Sequence, residues 1–116
     1  MEIEPCHSFS ELASLSYLIE CLVRLGPGFI QGSMQGNNIL FQLYWRNRTL
    51  QILQFGIVSK NRKNGLAKQW MREIMSLCIH HKVRIIARNV QDIKIGQKLC
   101  EEKFISLGNM DFAFPF

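Results

Sequence analysis

Long apolar runs are missing from these 116 residues. No stretch approaches the ~18–20 apolar residues a bilayer span needs, so no membrane partner is expected. Metal-ligand spacing is missing too. The four cysteines, Cys6, Cys21, Cys78 and Cys100, stand far apart with no Cys-x-x-Cys pair, which argues against a zinc site. There is no His-Glu-x-x-His. His80 and His81 are adjacent, and neighbours on a helix point in different directions, so they make no two-ligand face. His81 falls on the apolar side of its segment and reads as a core histidine. Nothing local suggests a Ser-His-Asp arrangement. No repeat, low-complexity tract or linker divides the chain, so residues 1–116 read as one domain.

Acidic residues are scarce: Asp and Glu number 9 against 14 Lys and Arg, a net charge of +5. Such a balance suits an anionic partner, a phosphorylated cofactor or a nucleic acid, without speaking to fold. Two glutamates precede Pro5 and no apolar run follows. No secretory signal is therefore expected, and reduced thiols in a cytoplasm are the simplest reading. Apolar residues make up 47% of the chain and are spread along it, which excludes disorder as the main state.

Met1–Glu4 reads as a short first strand. Ser8-Phe9-Ser10-Glu11 has the form of a capping box, and Leu12, Leu15, Leu18, Ile19, Leu22 and Leu25 follow at helical spacing. Gly26-Pro27-Gly28 stops that helix. Residues 29–34, 39–45 and 50–58 read as an antiparallel meander, joined by Gln35-Gly36-Asn37-Asn38 and by Arg46-Asn47-Arg48-Thr49. Gly56 inside the third strand suggests a bulge or a close approach. An amphipathic helix follows Gly65, with Leu66, Trp70, Ile74, Leu77, Cys78 and His81 inward. Val83–Ala87 is a short buried strand. Asp92–Glu102 is a last helix, and residues 104–107 and 110–114 are two final strands. The apolar tail Phe112-Ala113-Phe114-Pro115-Phe116 completes the sheet or covers a partner in a homodimer. The fold class is α+β, a mixed and mostly antiparallel sheet flanked by helices.

Arg62-Lys63-Asn64-Gly65-Leu66-Ala67 joins a strand to a helix. The first amides of a helix have no internal partner, and its dipole leaves partial positive charge there. A pyrophosphate can accept those hydrogens. Gly65 admits a close approach, Ala67 keeps the next turn narrow, and Arg62, Lys63 and Lys68 add charge.

That segment resembles the GNAT superfamily of N-acetyltransferases, whose pattern is Arg/Gln-x-x-Gly-x-Gly/Ala between a central strand and a helix. Arg62, Gly65 and Ala67 fill the three defined positions. Ile57 stands where an apolar residue is usual five before the Arg, and residues 98–104 loosely resemble the family's Leu-Tyr-Glu-Lys-x-Gly-Phe. The strand and helix order is similar over most of the chain.

The resemblance implies a GNAT-like fold that takes acetyl-CoA and transfers acetyl to a primary amine of a small molecule or of a protein lysine or N-terminus. The amides of Arg62, Lys63, Asn64, Gly65, Leu66 and Ala67 would hold the pyrophosphate, with Lys68 nearby. The strand edge around Ile57 and Val58 would pair with the pantetheine arm, in a slot where this strand splays from Val83–Ala87. The family's usual glutamate base is replaced by Gln51 and Gln54, which can hold water or substrate but take no proton. Its usual tyrosine is replaced by Cys100, either a proton donor to the leaving thiolate or a small buried hydrophobe. Asp92 is read as a helix cap. The first helical region allows one helix where two are usual.

Two alternatives remain at this level. One is a GNAT-like module that has lost catalysis and binds a protein. The other, favoured least, is a small basic nucleic-acid-binding protein. Arg46, Arg48, Tyr44 and Trp45 motivate it, and buried aromatics beside a solvated basic turn explain the same residues.

Overall fold

The computed structural model describes residues 5–12, 14–34, 38–57 and 65–115, without the side chains of Glu11 and Leu66. In chain order the elements are β1 (Cys6–Leu12), α1 (Leu15–Arg24), β2 (Gly28–Met34), β3 (Ile39–Arg46), β4 (Thr49–Ile57), α2 (Leu66–His81), β5 (Arg84–Ala87), α3 (Ile93–Glu101), β6 (Ile105–Gly108) and β7 (Asp111–Phe114). The strands form one sheet in the order β1-β2-β3-β4-β5-β7-β6. β1–β2 and β4–β5 run parallel, and the other neighbours are antiparallel. A mixed, mostly antiparallel α+β sheet is thus what forms.

The start of the chain departs from the sequence reading. The expected strand at Met1–Glu4 lies outside the described residues. Ser8 to Glu11 do not cap a helix; they belong to β1, where Ser8 pairs with Gln31 of β2. The helix begins at Leu15, and the Ser14 side chain accepts the Tyr17 amide at 3.2 Å. A capping box is worth only ~1 kcal/mol. A parallel pairing with β2 outweighs it, because it satisfies several backbone groups and turns Phe9 to the core.

Parallel neighbours need crossovers, and α1 and α2 supply them. α1 buries Leu15, Leu18, Ile19 and Leu22. α2 buries Trp70, Ile74, Met75 and Cys78, while Leu77 and His81 are only half-buried. His81 is therefore not the core histidine expected. Trp70 lies against Phe55 and Phe41, with ring centroids at 4.6 and 6.2 Å, and its indole N–H points at the Met34 sulfur at 3.2 Å.

α3 lies on the same side as α2. Arg72 of α2 bridges to Glu102 at 2.9 Å. A Cβ on Gly96 would meet the Phe112 ring at 3.0 Å, and Phe112 shares its register position with buried Ala87. The helices thus cover one face of the sheet, and the apolar residues there form one cluster. Among the described residues, no helix covers the other face.

The β3–β4 turn is Asn47-Arg48, with φ of 52° and 54°, the left-handed pair of a type I′ hairpin. Arg48 is not a free solvated cation. Its guanidinium donates to the carbonyls of His81 and Lys82 at the end of α2, where the helix dipole favours a cation.

Candidate functional site

Two features of β4 define the candidate site. The first is a bulge. Gln42 pairs with Gln54 and Leu43 with Ile52, leaving Leu53 without an opposite residue. The bulge expected at Gly56 sits three residues earlier; Gly56 pairs regularly with Leu40. A bulge bends a strand and increases its twist.

The second is a parting of strands at the same point. β4 pairs with β5 only from Thr49 to Ile52, matched to Arg84 to Ala87. The Arg88 amide donates to the Ile52 carbonyl at 3.0 Å and closes that ladder. Beyond it the chain follows β7. The Asn89 amide donates to Asp111 Oδ1 at 2.9 Å, the Val90 amide to the Met110 carbonyl at 2.8 Å, and Arg88 bridges to Asp111 at 3.4 Å. β4 continues with β3 to Ile57. From Leu53 onward, no described strand pairs with the β5 side of β4.

α2 opens a few residues beyond the end of β4. Gly65 is its N-cap, at φ 69°, with no side-chain cap and, among the described residues, nothing near where a Cβ would stand. There is no acidic residue in the first turn. Ala67 and Lys68 are exposed. Val58, Arg62, Lys63, Asn64 and the Leu66 side chain lie outside the described residues. Ile57 ends β4, half-buried against the core.

Gln51 and Gln54 both point to the face that the helices leave uncovered. Gln51 is half-buried, in register with Tyr44 and Ile86; Gln54 is exposed, in register with Gln42. Gln54 lines a groove of about 500 Å³ with Ser8, Gln31, Ser33, Leu40 and Gln42. Cys100 is elsewhere. It is exposed on α3, beside Val90, Gly96, Met110 and Phe112, in a depression of about 630 Å³ that shares no residue with the groove. The two glutamines are thus together, and Cys100 is on the helix side of the sheet.

The row across the open face is what sequence reading missed. Ser8, Gln31, Gln42 and Gln54 are consecutive register partners across β1 to β4. Each glutamine falls at an exposed position of an alternating strand. That signal was legible strand by strand, but the alignment into one row depends on register.

No family model, curated protein or solved structure matches this chain.

Proposed function

We propose that this chain is an acetyl-CoA-dependent N-acetyltransferase acting on a primary amine. The observation that carries the reading is the parting of β4 from β5 at the Leu53 bulge, on the strand that leads into α2, whose N-cap Gly65 brings no side-chain cap. A strand edge that no described strand pairs, from Leu53 to Gly56, can take an amide-bearing arm such as pantetheine, and helix amides can hold a pyrophosphate. The residues present fit such a group: Gly65 leaves the approach open, and no acid stands in the first turn. The GNAT resemblance of Arg62, Gly65 and Ala67 expects the same two elements in the same relation.

The thioester would supply an acetyl group already activated for attack. The chain's own part would be positioning. Backbone amides of the parted β4 edge would orient the acetyl carbonyl and stabilise charge developing on its oxygen. Gln54 and Gln51 would hold the amine or a water, accepting through the side-chain carbonyl and donating through the amide.

Neither glutamine takes a proton. Strands β2 to β5 carry no Asp or Glu. Amines already neutral near pH 7 would then react fastest. An α-amine, at roughly 7.7–8.0, would be preferred over a lysine side chain, at roughly 10.4.

Calorimetric titration with acetyl-CoA tests the reading, comparing the native chain with Gly65→Glu and Lys68→Glu, each checked for a native melting curve. Native binding that a folded variant loses is the expected result. A folded native chain that takes up no acetyl-CoA would turn the reading to a protein-binding module of the same fold.

A further inference from the structure

We propose that the uncovered face of the sheet is a binding platform for single-stranded nucleic acid. The proposal does not depend on acyl transfer: it shares Gln51 and Gln54 with the proposed acceptor site, but its ligand is another and Phe29, Tyr44 and Arg84 lie outside that site.

The rows on this face follow from register. Phe29, Tyr44, Gln51 and Ile86 are consecutive partners across β2 to β5. Phe29 and Tyr44 sit in ring contact at 4.8 Å, and Phe29 is 45% exposed. Leu40 of β3 is exposed on the same face, so the apolar surface there is a patch and not a single side chain. Two residues along β2 and β3, about 7 Å away, and three along β4 because of the Leu53 bulge, runs the row of Gln31, Gln42 and Gln54. Two residues the other way, β5 contributes exposed Arg84, in register with Thr49.

Each row matches one part of an unpaired nucleotide. Aromatic rings offer stacking planes to any base. Glutamine side chains carry both donors and an acceptor, as base edges require. Arg84 can meet phosphate, and β2 to β5 place no carboxylate against it. Duplex is a poor fit, because its bases are already stacked and paired. A second copy of the chain is also a poor fit, because it would set exposed Arg84 against a face whose strands β2 to β5 bring no carboxylate to meet it.

Trp45, next to Tyr44 on β3, is buried on the helix side, and Arg48 is committed to the end of α2. The platform is therefore Phe29 and Tyr44 with the glutamine row, and not the turn that the sequence singled out.

Fluorescence anisotropy with labelled single-stranded RNA and DNA of roughly 12 nucleotides, from about 50 to 300 mM salt, tests this. Saturable binding that weakens with salt is expected. Phe29→Ala and Tyr44→Ala should each weaken it roughly 5- to 150-fold while keeping the salt slope. Arg84→Ala should reduce that slope by about 0.7. Gln42→Ala, at an exposed position, serves as a second probe should Tyr44→Ala fail to fold. Ile79→Ser, exposed on α2, should change nothing.

No binding at low salt would overturn the proposal. So would binding indifferent to both Phe29→Ala and Gln42→Ala, which would mean diffuse charge attraction, or equal affinity for duplex. Sedimentation showing a dimer that Phe29→Ala dissolves would assign the face to a second copy instead.

Discussion

At the scale of single residues, Cys78 has the least ambiguous chemistry. It is fully buried in α2, and burial pushes its thiol up to about 12. The native state holds this proton where the unfolded chain, near 9, releases it. Its contribution to stability is whole below pH ~9 and falls by about 1.4 kcal/mol per pH unit above that, until the native thiol itself titrates. Denaturant melts of the native chain and Cys78→Ala between pH ~8 and ~11 should therefore converge as pH rises. Parallel curves would mean that the thiol titrates normally. Cys6 and Cys100 are exposed and should react with a thiol reagent in the native state, with Cys78 following only on unfolding. The sequence left Cys100 between a buried residue and a proton donor. Which side of α3 meets Phe112 decides exposure, and helical spacing places Cys100 next to buried Leu99 without revealing where the core ends.

Among the elements, α1 separates what a motif says from what a sheet requires. Ser8 and Glu11 have the spacing of a cap, and Ser14 has no partner signal three residues on. Ser14 nonetheless caps α1, because β1 takes the chain as far as Leu12. Ser14→Ala should cost 0.5–2 kcal/mol of stability, and Ser8→Ala, on an exposed strand face, much less. Urea denaturation of the two variants reads the difference directly. Equal losses would return the capping role to Ser8. The antiparallel meander β2 to β4 was readable because the strands alternate and the turns carry Asn and Gly. The bulge was displaced from Gly56 to Leu53, because a bulge reflects register against β3, and a glycine marks only a position where one is tolerated.

Across the whole molecule, one apolar cluster joins α1, α2, α3 and the covered face of the sheet. Such a core should unfold as a unit. Ile74 is fully buried at its centre, and Ile74→Ala should cost about 2–5 kcal/mol. With Trp45→Phe as background, Trp70 fluorescence and far-ultraviolet dichroism should lose their transitions together in this variant. A fluorescence change that precedes the loss of dichroism would show that α2 detaches from a sheet stable by itself.

The amino-acid sequence by itself determined which segments are helix and which are strand over most of the chain, the basic net charge, and the glycine that opens α2. These follow from periodicity, turn chemistry and composition, which act between neighbours along the chain. Tertiary structure alone decided that β4 leaves β5 after Ile52, that Gln31, Gln42 and Gln54 fall in one row, that Phe29 meets Tyr44 in the open, and that Cys100 stands apart from Gln54. Each depends on register between distant segments or on which face a crossover helix covers. A shift of one residue in pairing would turn each of those strand side chains to the other face.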